Sequence, residues 1–140
     1  ADSLRGLADN YRELGAVLDE NNELNESAVS YKTAVDYYRK YLAVKPDGLE
    51  AKIDMGLTYF YLQMPEIAVR ALKEVTQAEP GNQRAWHSLG WVQENGMGDS
   101  EQARIAWQTS INIDPNSDIG QESKSFLEQV VSPQSQLPAP

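Results

Sequence analysis

The chain has 140 residues, 41% of them hydrophobic and 24% charged, with no cysteine and a formal net charge of −9. That length suits one domain able to bury a core, while the missing cysteine excludes disulfides, thiolate metal sites and cysteine nucleophiles. The acidity is the wrong sign for neutralising phosphates, so nucleic acid is not an expected partner, and no apolar run is long enough for this segment to insert directly in a bilayer.

Taken in order, Leu4, Leu7, Tyr11, Leu14 and Leu18 recur at helical spacing and carry a first helix back almost to the N-terminus. The acidic stretch 19–26 follows, and either lengthens the flanking helices or forms a loop. A helix bearing Ala34 and Tyr38 ends at Lys45-Pro46-Asp47-Gly48. From Leu49 onward Ile53, Met55, Gly56, Tyr59 and Leu62 mark one helix, and Ile67, Ala68, Ala71, Leu72 and Val75 mark the next. Gln63-Met64-Pro65 breaks the pattern between them, and Pro65 suits the first turn of a helix, where its missing N–H would be unpaired anyway. Glu79-Pro80-Gly81-Asn82 stops that helix. A third pair carries Trp86 and Leu89-Gly90, turns at Gly96-Met97-Gly98-Asp99 with Asp99 or Ser100 placed to cap, and continues through Ala103 and Trp107 to Asp114-Pro115. A last helix is expected over 118–131, with Ile119, Phe126, Leu127 and Val130 on its apolar side. The rest, 132–140, is Pro-rich and expected to be an extended tail, with Leu137 its only large apolar residue.

The pairs repeat. Twelve residues before Pro46, Pro80 and Pro115 stand Ala34, Ala68 and Ala103, and four residues after each alanine stand Tyr38, Leu72 and Trp107. A small residue followed one turn later by a bulky one is what close helix packing needs. Leu14-Gly15, Met55-Gly56 and Leu89-Gly90 mark a site in each first helix where glycine lets a neighbour approach. The alanine follows the glycine by 19, 12 and 13 residues, so the length variation lies inside each hairpin.

These units resemble tetratricopeptide repeats, helical hairpins whose pattern runs aromatic, Leu-Gly, Tyr, Ala, aromatic and closing Pro. The third unit carries Trp86, Leu89-Gly90, Ala103, Trp107 and Pro115, with Gln93 in place of the tyrosine. The second carries Met55-Gly56, Tyr59, Ala68, Leu72 and Pro80, with Lys52 in place of the first aromatic, and the first carries Tyr11, Leu14-Gly15, Ala34, Tyr38 and Pro46. The resemblance implies an all-α fold: a right-handed superhelical stack of antiparallel hairpins with seven helices. One domain would cover 1–131, with repeats at about 8–48, 49–82 and 83–117 and a capping helix at 118–131.

Groups able to do chemistry are few. His87 is the only histidine, and Gly96-Met97-Gly98 lacks the Lys-Ser/Thr of a phosphate loop. The chain is therefore not expected to be an enzyme or to hold a cofactor or metal. More informative is a surplus apolar stripe on the second unit, Ile53, Leu57, Phe60 and Tyr61, beyond what packing within a stack needs. By the resemblance, this stripe lines the concave groove in which such repeats take peptides, joined by His87 and Trp91 from the third unit, with Arg12 and Arg84 as its cations. Family members that clamp a terminal carboxylate use Lys and Asn where this chain has Arg12, Ala16, Asp54, Arg84 and Ser88, so both asparagines are gone.

The function expected is a protein-interaction module that takes an apolar or basic segment of a partner protein, with a self-assembling scaffold, weakly self-associating, as the alternative. The chain begins at Ala1 without methionine, and its first helix reads as cut from something upstream. It is expected either in the cytoplasm or tethered to a bacterial membrane through a missing N-terminal segment.

Overall fold

A computed structural model describes residues 2–135, with side chains placed to Val130. Among the described residues there are seven helices and no strand: α1 (Asp2–Glu20), α2 (Leu24–Val44), α3 (Leu49–Tyr61), α4 (Pro65–Ala78), α5 (Gln83–Asn95), α6 (Ser100–Ile113) and α7 (Asp118–Ser135). The punctuation works as its chemistry predicts. Pro65 opens α4. Asn82 caps α5 by accepting from the Ala85 N–H, and Asp99, not Ser100, caps α6 by accepting from Gln102 N–H. The open alternative at 19–26 falls to longer helices: α1 and α2 reach 19 and 21 residues and leave only a short turn, in which Asn22 takes a left-handed conformation (φ 62°). The last helix runs to Ser135, past the boundary at Val131 that the proline-rich composition suggested. Pro133 falls in its final turns and forfeits one main-chain donor there. Residues 132–135, expected to be extended, are thus helical, and 136–140, Leu137 among them, lie outside the described residues.

Contacts divide the chain into two compact units, residues 1–71 and 72–140, with the division inside α4. In the first, α1 packs along α2, and α2 against α3. Its core is built on the small residues Ala8, Ala34 and Ala51 with Tyr38 and Tyr41 between them, and Leu4, Tyr11, Tyr37, Leu42 and Met55 close its sides. Gly15 lies under the Tyr31 ring so closely that a Cβ would come within 2.6 Å of it. The second unit repeats this solution: Ala85, Leu89, Val92, Ala103, Ala106 and Trp107 are buried, and a Cβ on Gly90 would come within 2.5 Å of the Trp107 indole nitrogen. Both helix pairs thus close on a glycine–aromatic contact, the physical content of Leu14-Gly15 and Leu89-Gly90; the ring is Trp107, four residues after Ala103, in the second unit, but Tyr31, three residues before Ala34, in the first.

α7 is fastened to the second unit by polar groups. Ser117 caps it, accepting from the Gly120 N–H. The Ser117 hydroxyl donates to Gln83 Oε1, while the Gln83 amide nitrogen reaches the carbonyls of Ser110 and Asp114. A Cβ on Gly120 would lie 2.0 Å from the Asp114 carbonyl oxygen, so only glycine lets α7 start where it does.

Candidate functional site

In the first unit the surplus stripe separates by position. Ile53 is 0% exposed and belongs to the core, which corrects its assignment to a partner surface: a helix turn apolar on both sides buries one of them. Leu57 and Phe60 are half-buried. Tyr61, at the end of α3, is 41% exposed; it stacks on Tyr31 (5.4 Å, 25°) and meets Phe60 edge-on (5.6 Å, 61°). Together these rings present a rigid aromatic surface braced from behind, since the Tyr31 hydroxyl donates to Asp19 at 3.0 Å and Ser27 donates to the same carboxylate at 2.6 Å. Burial, and then the hydrogen bond to Asp19, push the Tyr31 phenol well above the ordinary tyrosine range.

Arg12 is held by its own unit. Its Nε donates to the Tyr38 hydroxyl at 3.1 Å, Tyr38 in turn donates to Asp9, and an Arg12–Asp9 ion pair spans 3.8 Å. Burial works against the guanidinium charge, but the Tyr38 bond and the nearby carboxylates Asp54 and Asp9 outweigh it and raise the pKa of Arg12. Burial and the bond to Asp9 likewise push Tyr38 upward. Asp54, itself buried, pairs with Arg5 at 3.8 Å. The cation on this face therefore comes with its own carboxylates.

In the second unit, Arg84 and Trp91 are half-buried on α5. His87 and Trp91 both turn to α7. The His87 ring stacks on Phe126 (5.4 Å, 12°), and Trp91 leans on the same ring (5.4 Å, 39°). Nδ1 of His87 bonds Ser123 Oγ at 2.8 Å and Nε2 bonds Glu122 at 2.7 Å. Ser, His and Glu in a row have the connectivity of a nucleophile, base and orienting acid. Yet Ser123 is 0% exposed and its hydroxyl is spent on Ser110 Oγ at 2.8 Å, so no substrate carbonyl can reach it. The row is a strut tying α5, α6 and α7 together. Ser123 and Glu122 are the residues sequence reasoning missed here; the spacing of the last helix put Phe126 on its apolar side but did not say against what it packs.

Among the described residues no group of three or more His, Asp or Glu could hold a metal ion, and no helix is long and apolar enough to cross a membrane.

Comparison with known proteins gives a tetratricopeptide repeat at residues 84–117, the third of the sequence units. No curated protein matches the chain. Among solved structures, the first TPR of Spaghetti (RPAP3), bound to the HSP90 peptide SRMEEVD, is similar with a TM-score of 0.66 at 15% identity, over 94% of this chain and 95% of that one. The Sgt2 TPR domain from Aspergillus fumigatus has a TM-score of 0.66 at 20% identity, over 95% and 86%. The second TPR domain of human RPAP3, in complex with the HSP70 peptide SGPTIEEVD, has a TM-score of 0.61 at 14% identity, over 89% and 98%. At these identities the likeness is one of fold.

Proposed function

We propose that this chain, which carries a tetratricopeptide repeat at residues 84–117 and is similar in fold to solved TPR domains, is a non-catalytic interaction module that takes a peptide or helical segment of a partner on the first helices of its helix pairs. The observation that carries this reading is the aromatic surface of exposed Tyr61, stacked on Tyr31, and half-buried Phe60, edge-on to Tyr61, with Leu57 one turn earlier on α3. Rigid aromatics already held in place lose little entropy on binding and commonly act as anchors. On α5, Arg84 and Trp91 stand at the corresponding positions, while His87 is committed to α7.

The partner segment we propose is apolar or basic. Two of the similar structures are complexes with the peptides SRMEEVD and SGPTIEEVD, both rich in acidic residues. This chain carries a net charge of −9, and its Arg12 is already neutralised by Asp9 and the Tyr38 bond. An acidic segment would meet like charge here. Selection from a displayed peptide library tests the reading. Selected peptides should be low in Asp and Glu, and Tyr61→Ala should weaken them by roughly 1–4 kcal/mol. Peptides that bind Tyr61→Ala and Trp91→Ala as well as the parent would refute it.

A second reading, self-assembly, has one observation in its favour. Leu7, Leu14 and Val17 of α1 and Val29 of α2 are large apolar residues left exposed. Light scattering over a range of concentrations separates the two readings, because a mass that stays at one chain throughout leaves self-assembly without support.

A further inference from the structure

Beyond the aromatic face of α3, the second unit contains a cleft of about 330 Å³ between α5, α6 and α7, walled by Trp91, Glu94, Trp107 and Phe126, with Ser100 and Gln129 also lining it. We infer that this cleft is a receptor for one arginine side chain of a partner protein, stacked against the aromatic rings and hydrogen-bonded to the carboxylate of Glu94. The inference rests on the interaction-module reading, and it adds a defined pocket with a defined chemistry to it.

Three observations converge on a cation. First, Glu94 Oε2 is buried and has no hydrogen-bond partner. Buried polar atoms in native proteins are almost always paired, and a buried carboxylate oxygen left without a donor is costly. The polar neighbours with known partners are committed elsewhere: the Asn95 amide donates to the Trp91 carbonyl, and His87 is bonded to Ser123 and Glu122. Among the described residues no lysine or arginine lines the cleft. Second, the walls are aromatic, with the Phe126 ring 5.4 Å from both Trp91 and Trp107. The negative faces of such rings attract cations, and tryptophan does so most strongly. Third, the net charge of −9 draws cations toward the protein and disfavours anions.

Size and hydration select the arginine. The volume is at the low end of small-ligand pockets, about right for one side chain and too small for a peptide backbone. A guanidinium is planar, so it can lie against Trp91 or Phe126, and it sheds water more readily than an ammonium. With one N–H on Glu94, others remain for Ser100 Oγ and the Gln129 side-chain oxygen at the lining. Trp107 is 2% exposed and contributes a floor, whereas Trp91 and Phe126 are half-buried and offer ring area to a ligand.

The test uses the whole chain and small probes, so it needs no partner. N-acetyl-arginine amide is titrated into 15N-labelled protein, with the corresponding lysine, leucine and glutamate amides in parallel, following the indole N–H signals of Trp91 and Trp107. The arginine amide should give saturable shifts at these indoles, weakened about tenfold by Glu94→Gln, a change that keeps side-chain shape and removes the charge. Tyr61→Ala should leave this titration unchanged. Absence of saturable shifts, equal binding to Glu94→Gln, or equal binding of the leucine or lysine amide would each overturn the assignment. Peptide selection fails or succeeds independently, because a chain that selects peptides through Tyr61 but ignores arginine amide keeps the module and loses the pocket.

Discussion

Replacing Gly90 by alanine tests the packing logic most directly, because its two effects have opposite signs and the structure says which wins. Alanine is favoured over glycine inside a helix by about 1 kcal/mol. At Gly90 the new methyl would lie 2.5, 2.7 and 2.9 Å from atoms of the Trp107 indole, the nearest some 0.9 Å inside the 3.4 Å at which ordinary contact begins. The indole cannot swing aside. It is 2% exposed, its N–H donates to the His87 carbonyl at 3.2 Å, and Phe126 packs on it at 5.4 Å. Overpacking costs about 1–3 kcal/mol, and a contact this short against a locked ring belongs in the upper half of that range, so after the helix gain of about 1 kcal/mol the net expectation is a loss of about 1–2 kcal/mol, or roughly 3–7 °C in Tm at this chain length. Gly6, exposed in the interior of α1 with nothing within 4 Å of a Cβ, supplies the control. Gly6→Ala should gain up to about 1 kcal/mol. Urea unfolding followed by circular dichroism measures both. If Gly90→Ala proves as stable as the parent, the Leu-Gly signature is not a close-approach site and the packing argument fails.

Gly120→Ala puts a methyl against the Asp114 carbonyl, main chain that cannot rotate away, so α7 should loosen from α6; amide exchange along α7 should accelerate before the rest of the unit opens. Ser123→Ala removes the link between His87 and Ser110 and should cost about 1–2 kcal/mol by leaving buried partners unsatisfied, read by the same urea titration. Tyr31 and Tyr38 are held protonated above the ordinary tyrosine pKa of about 10. Above that pH the unfolded chain loses these protons while the folded one keeps them, so stability should fall as pH rises past about 10 and the fall should flatten in Tyr38→Phe. Unfolding free energies measured between pH 9 and 11.5 check this, and an unchanged slope in the variant would contradict it.

Much of the fold was legible because it is written in short-range chemistry. Pro65, Asn82 and Asp99 act where they stand, through a missing N–H or a side-chain oxygen facing a free one. Spacing alone left the acidic stretch 19–26 ambiguous, since a left-handed Asn22 closes in a short turn what composition would equally allow as a loop. Gly120 went unnoticed as well. It occurs once, outside the repeated register, and its reason is a main-chain oxygen six residues back across a turn.

The candidate site was less legible, and Ile53 and His87 show why. Periodicity establishes that α3 has apolar residues on two sides, yet burial depends on which neighbour arrives, and for Ile53 the answer is complete enclosure. For His87 the neighbour is α7, which supplies Phe126 to its ring and Ser123 and Glu122 to its nitrogens. A histidine expected in a groove is thus a fastening, because α7 packs on it. The same helix accounts for the cleft beside Glu94. With Phe126 set between His87, Trp91 and Trp107, α7 adds an aromatic wall that α5 and α6 lack. Glu94, whose Oε2 is buried without a hydrogen-bond partner, lines the cleft together with these rings. Packed on α5 and α6, α7 thus supplies the ring that completes a cleft whose chemistry asks for a cation.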